Sequence, residues 1–183
     1  MLLRIYVNDH RAGAVAGISL CRRIESQEKG TRLGDLATEL VAEIEADRRE
    51  LNRYAAANGI TANPLKQMGA AIAEVVGRLK FNGFVVHRSP LSAVLEVEML
   101  MAGIDAKGSL WRSLLAGDRI APFDIDVLEH LIGRAKSQRD RLELQHREVA
   151  RVAFLQSDGP GAEKPSRTWR KLARKAPRRR TQP

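Results

Sequence analysis

The chain has 183 residues, a length that fits one domain and leaves little for a second. Its 44% hydrophobic and 29% charged residues can supply a core and a solvated surface, which excludes a wholly disordered chain. Lys and Arg outnumber Asp and Glu by 31 to 22, giving a formal net charge of +9. Nucleic acid or another polyanion is therefore the first partner to consider.

The N-terminal part of the chain predicts two amphipathic helices of similar length. The segment 2–28 places apolar residues at spacings of three and four, and Lys29-Gly30 ends it. The segment 33–58 repeats this pattern up to Asn58-Gly59. Because only a few residues separate the two segments, we expect them to form an antiparallel hairpin.

Two further long helices are predicted after a longer connection. Ser89-Pro90 supplies a cap and a first-turn residue for a helix that reaches about residue 115. Asp124 or Asp126 caps the last helix, which continues to about residue 155. The connection before Ser89 is expected to contain a short helix over residues 64–79.

Four long helices with one long connection between the two pairs predict an all-α four-helix bundle with a crossover. This layout resembles the ferritin-like superfamily, in which the first and fourth helices are parallel and the second and third are parallel. The resemblance covers about residues 2–155 and implies a ferritin-like bundle domain over residues 1–155, followed by a tail over residues 156–183.

Polar residues interrupt the apolar stripes of three helices at a similar depth. His10, Asp47 and Gln138 share a level to within a turn or two when each residue rises about 1.5 Å along its helix. Buried polar groups are costly unless paired, so this interior polar cluster indicates a structural network or a functional site. The structural interpretation makes His10 a core imidazole bonded to Asp47 or Gln138.

A second level, two to three turns higher, holds carboxylates that are candidates for a metal site. Ferritin-like di-iron proteins place a Glu on each of two helices and a Glu-x-x-His on each of the other two. The resemblance thereby implies iron or manganese ligands at Glu39, Glu98, Glu143 and His146. Apolar residues three and four positions from Glu98 favour this carboxylate over Glu96 as the one that points inward.

The second helix departs from the di-iron pattern, because Ala42 stands three residues after Glu39. We therefore expect a metal-free polar network and no cofactor, with an iron or manganese protein or an oxidoreductase as the alternative. For Glu98 the metal-free interpretation is a buried pair with an arginine such as Arg22, Arg134 or Arg141.

The excess positive charge is concentrated in the C-terminal tail. Residues 156–183 contain nine basic and two acidic residues, which is +7 of the total +9. With few apolar residues, this segment is predicted to be disordered when free. Its cations suit a phosphate backbone and its aromatic ring can stack on a base; the candidate nucleic-acid-binding residues are Trp169, Arg170, Lys171, Arg174, Lys175, Arg178, Arg179 and Arg180. An anionic membrane surface and a merely solubilising tail are the alternatives.

The remaining sequence features predict a cytoplasmic protein without a membrane span. The single cysteine, Cys21, fits a reducing compartment, and the apolar run 1–7 is too short for a signal sequence. No stretch of about 18 uncharged apolar residues is present. The expected function is that of a non-enzymatic or vestigial ferritin-like bundle with a tail that binds nucleic acid nonspecifically; formation of a homo-oligomer stays open.

Overall fold

The computed structural model describes residues 1–61 and 90–157, which form four α-helices. They are α1 (Leu2–Gln27), α2 (Arg32–Ala57), α3 (Pro90–Ala116) and α4 (Ile125–Ser157). No β-strand occurs in these two ranges. The predicted all-α four-helix bundle is confirmed, and the predicted helix ends lie within two residues of the observed ones.

The turn between α1 and α2 depends on two glycines and one cap. Thr31 is the N-cap of α2, and its Oγ1 accepts a hydrogen bond from the backbone N–H of Gly34 at 3.2 Å. Gly30 has a φ of +81°, which side chains disfavour. A Cβ on Gly34 would collide with the carbonyl oxygen of Glu28. The predicted hairpin therefore closes tightly because both positions lack a side chain.

The helix directions follow from the residue pairs that join neighbouring helices. Arg11 of α1 contacts Asn52 of α2 at 2.9 Å, and the later residue Arg22 contacts the earlier residue Glu45 at 2.6 Å. Residue numbers therefore run in opposite directions along α1 and α2. The same order holds for the other neighbours, through Glu98–His146, Asp105–Arg139, Tyr6–Ser113, Arg23–Glu96, Glu39–Arg141 and Asp47–Arg134. Neighbouring helices are antiparallel, so α1 is parallel to α4 and α2 to α3.

The hydrophobic core is divided into two clusters along the bundle axis. The upper cluster is mainly aliphatic and includes Ile24, Leu40 and Leu142. The lower cluster contains the aromatic residues Tyr54, Trp111 and Phe123. Trp111 is fully buried in the lower cluster. The polar residues Asp47 and Gln138 lie between the clusters, and their neighbours form the candidate site.

Two predictions fall outside the described residues. They are the short helix over residues 64–79 and, beyond Ser157, the C-terminal tail. The last helix extends to Ser157, two residues past the predicted domain boundary at 155. Across the described ranges, none of the helices combines the length and hydropathy needed to cross a bilayer.

Candidate functional site

Asp47 on α2 is the centre of an ion network between the two core clusters. Asp47 is 3% exposed. Its carboxylate accepts a hydrogen bond from the ammonium of Lys107 on α3 and forms an ion pair with the guanidinium of Arg134 on α4. The same ammonium donates to Oε1 of Gln138, a side chain with no exposed surface. Three helices are thereby joined through one buried carboxylate.

The Gln138 amide extends this network toward Glu43. Its Nε2 donates to Oε2 of Glu43 at 2.9 Å and approaches Oδ2 of Asp47 at 3.4 Å. Arg141 binds Glu43 at 2.5 Å and Glu39 at 3.0 Å. The Glu39 side chain is exposed, so the network extends from the core to the surface. The oxygen and the nitrogen of the Gln138 amide both have partners, which offsets the cost of burying this polar side chain.

The electrostatics of the network are those of a buried, compensated cation. Burial lowers the pKa of Lys107, and the neighbouring Asp47 carboxylate opposes that shift. Breaking a buried ion pair leaves an uncompensated charge, so the partners depend on one another. The interior carboxylates are therefore neutralised by side-chain cations of the same chain.

His10 is not joined to this network. The ring is half-buried and packs edge-on against Tyr6, with the two centroids 4.6 Å apart. Among the described residues no hydrogen bond links His10 to Asp47 or Gln138. Burial lowers the pKa of His10, and the nearby Asp9 partly opposes this shift. Of the three predicted members of the interior cluster, the structure brings together Asp47 and Gln138.

The four predicted metal ligands separate into different contacts. Glu98 Oε1 lies 3.0 Å from Nε2 of His146, whereas Glu39 pairs with Arg141. Glu143 lies 3.0 Å from Arg139 and 2.9 Å from Arg147, and these contacts lower the pKa of its carboxyl. Within residues 1–61 and 90–157, no three His, Cys, Asp or Glu side chains converge to hold a metal ion.

The expected inward orientation of Glu98 is wrong. The Glu98 side chain is 49% exposed, whereas that of Glu96 is 10% exposed and pairs with Arg23 at 2.9 Å. The proposed arginine partners of Glu98 are engaged elsewhere: Arg22 binds Glu45, Arg134 binds Asp47, and Arg141 binds Glu39 and Glu43. Rotation of α3 about its axis places Glu96 toward the core and Glu98 toward α4.

Sequence reasoning missed Lys107, which holds the centre of the network. Lys107 stands three residues after Ile104 and four before Trp111, both buried on α3. In the folded bundle that spacing places Lys107 on the buried face of α3. Nearly every side of this helix is apolar, so the sequence alone does not single out that face. The nearby Asp105, which lies at the same depth, is exposed and pairs with Arg139.

Cys21 is a packing residue and is unsuited to nucleophilic chemistry. The thiol is fully buried in the upper cluster. Burial raises the pKa of Cys21 to about 12, which keeps the side chain protonated and unreactive at neutral pH.

The sequence matches no protein-family model, no curated protein and no solved structure. The predicted nucleic-acid-binding residues, from Trp169 to Arg180, lie outside the described residues.

Proposed function

We propose that the protein is a non-catalytic, cytoplasmic helical bundle of ferritin-like layout that binds nucleic acid through its C-terminal tail. The observation that supports the non-catalytic part is the ammonium of Lys107 between Asp47 and Gln138. Without the Lys107 ammonium, the buried Asp47 carboxylate would need a bound cation to compensate its charge. The carboxylate is thereby stabilised without a bound ion.

The ferritin-like part is supported by helix directions and by the lengths of the connections. Four residues (28–31) join α1 to α2, and eight (117–124) join α3 to α4. The connection from α2 to α3, residues 58–89, is far longer, and these two helices are parallel. A single long connection between two antiparallel hairpins is the arrangement expected for this superfamily.

The nucleic-acid part is supported by the division of charge along the sequence. Residues 1–155 have a net charge of +2, and residues 156–183 have +7. Such a concentrated cationic segment displaces counterions from a phosphate backbone, and its affinity falls steeply with salt. Trp169 lies within the basic run and supplies a ring for stacking on unpaired bases.

The test is DNA binding by the full chain and by a form that ends at Ser157, the last residue of α4. Fluorescence anisotropy with a labelled duplex is measured between about 50 and 200 mM salt, the range over which phosphate contacts lose most affinity. We expect the full chain to bind with a salt slope of about 0.9 per neutralised phosphate and the shortened form to lose that binding. Unchanged affinity after truncation contradicts the proposal.

A matched pair of triple variants separates the tail from general basicity. Arg178→Gln, Arg179→Gln and Arg180→Gln together should reduce the salt slope by about one unit per residue that contacts phosphate. The control carries Lys136→Gln, Arg147→Gln and Arg151→Gln, which remove three exposed cations of α4. If both variants lose affinity equally, binding reflects overall charge and the tail has no special role.

A metal-binding function is the second candidate, and the contact between Glu98 and His146 favours it. The imidazole and carboxylate lie 3.0 Å apart on neighbouring helices, a suitable pair of ligands for iron or manganese. Protein purified without chelators would then contain stoichiometric metal that is lost in Glu98→Gln and in His146→Gln. A metal content unaffected by both substitutions removes this candidate.

A further inference from the structure

A cavity of about 820 Å³ lies beneath the middle of α1, where this helix faces α2 and α3. The helix α1, which is described throughout, contributes no buried residue between Val7 and Ile18. Gly17 is partly buried and lines the cavity, and a Cβ added there would meet no heavy atom within 4 Å. Small-molecule pockets commonly measure roughly 300–1,000 Å³, and those of helical bundles lie between helices. The cavity is thus large enough for a ligand.

The cavity is elongated and its inner wall is mainly apolar. Its lining extends along α1 from Asp9 to Arg23, which corresponds to about 21 Å at a rise of roughly 1.5 Å per residue. The apolar side chains of the inner wall come from both core clusters and are Ile44, Leu51, Leu100, Ile104 and Leu110. This shape suits a straight alkyl chain better than a compact ring system.

Two hydrogen-bond donors of α3 line the same cavity. Lys107 and Trp111 are four residues apart and therefore share a helix face. The Lys107 ammonium has three N–H groups, of which Asp47 and Gln138 accept two. The Trp111 side chain is fully buried, and its indole N–H has no hydrogen-bond acceptor. An unsatisfied buried donor is unusual in a folded protein, and a ligand oxygen that reached this N–H would supply the missing acceptor.

The charges around these donors favour an anion. Three basic residues line the cavity, Arg23, Arg48 and Lys107, against two acidic ones, so its lining has one more positive than negative charge. Of the two carboxylates in the lining, Asp47 is already engaged and Asp9 is exposed. Burial already lowers the pKa of Lys107, and a further anion would stabilise its charged form.

We propose that the cavity binds a straight-chain alkyl carboxylate, whose chain lies along α1 and whose carboxylate accepts hydrogen bonds from Lys107 and Trp111. The apolar wall contributes most of the binding free energy through burial of the chain. The two donors select an acceptor-bearing, anionic head group. This site is independent of the tail, so it can fail or succeed without affecting the nucleic-acid proposal.

The test is titration of the full chain with sodium dodecanoate. Dodecanol and dodecyltrimethylammonium, which have the same alkyl chain with a neutral and a cationic head group, are titrated for comparison. Carrying Trp169→Phe, the chain retains Trp111 as its sole tryptophan, and the emission of Trp111 reports occupancy. We expect saturable binding of dodecanoate and a weaker response to dodecanol. Absence of saturable dodecanoate binding, or equal binding of dodecyltrimethylammonium, overturns the proposal.

Matched glycine variants test whether the ligand occupies this cavity. Gly17→Leu fills the space and should weaken dodecanoate binding about tenfold or more, while the helix tolerates the side chain. Gly133→Leu is the control, since Gly133 on α4 also has open space around its Cβ position but lies outside this cavity. Equal affinity in the two variants places the ligand elsewhere and overturns the proposal.

The charge of the head group is tested with Lys107→Met. This variant should lose about tenfold or more in dodecanoate affinity and much less in dodecanol affinity, because the hydroxyl loses only a hydrogen bond and no charge attraction. Retained dodecanol binding shows that the cavity is still formed, and circular dichroism checks the helix content. A variant that still prefers dodecanoate over dodecanol shows that Lys107 does not recognise the carboxylate, which overturns the proposed head-group contact.

Discussion

The Asp47 network and the carboxylates nearer the surface use the same residue types in different surroundings. Asp47 is almost fully buried and contacts cations from two other helices. Glu143 is about one-third exposed and is bound by two arginines of its own helix, Arg139 and Arg147. Contacts within one helix add little to the assembly of a bundle, whereas the Asp47 contacts fix how α2, α3 and α4 are aligned. Burial and helix crossing thus distinguish a structural network from a solvated charge cluster.

The largest expected effect comes from Asp47→Ala. Removing the buried carboxylate leaves Lys107 and Arg134, both partly buried, without their partner, which should lower the free energy of unfolding by about 3–5 kcal/mol. Glu143→Ala, measured in parallel by urea denaturation, should cost far less because its pairs are solvated. Similar losses in the two variants would contradict the distinction between the regions.

A double-mutant cycle tests the coupling within the network. Asp47→Asn and Lys107→Met should each destabilise the protein, but the double variant should lose less than the sum of the two, by about 1–3 kcal/mol. The reason is that the second substitution removes the charge that the first leaves unpaired.

The exposed pair of Lys136 and Asp140 on α4 provides the matched cycle. Its side chains are 77% and 61% exposed, and an i, i+4 pair of this kind is worth about 0.5 kcal/mol or less. Urea denaturation of Asp140→Asn, Lys136→Met and their combination should therefore give nearly additive changes. Coupling of equal size in the two cycles would mean that burial does not strengthen the interior pair.

The same contrast explains which parts of the molecule the sequence predicts. Helix positions follow from apolar spacing, caps and glycine stops, which are local, and the predicted ends of all four helices are accurate. The choice between Glu96 and Glu98 depends on the rotation of α3, and this helix has apolar residues on nearly every side. Residue spacing therefore does not identify its buried face, which only packing against α1 and α4 determines.

Depth along the bundle is likewise an incomplete guide to the site. Counting residues from the helix ends correctly places Asp47 level with Gln138, and Glu98 level with His146. It places Glu39 with the second pair, although the side chain of Glu39 faces Arg141 instead. Lysine usually indicates a solvated surface, which hides Lys107 from sequence reasoning, whereas its long stem here carries the ammonium to a buried partner.

The smallest expected effect concerns His10 and pH. Since burial lowers the pKa of His10, the unfolded chain binds its proton more tightly than the folded protein does. The contribution of His10 to stability is therefore complete above the unfolded pKa of about 6.5 and declines as the pH falls toward the lower folded pKa. The free energy of unfolding of the unmodified protein, relative to that of His10→Gln, should decrease between about pH 7.5 and pH 5.

His130→Gln, at an exposed position on α4, is the control for this titration. This variant removes one imidazole and leaves the contact between His10 and Tyr6 in place. If the stability of the unmodified protein relative to His10→Gln instead rises on acidification, protonated His10 gains a partner such as Asp9. This part of α1 would then resemble the solvated pairs more than the buried network.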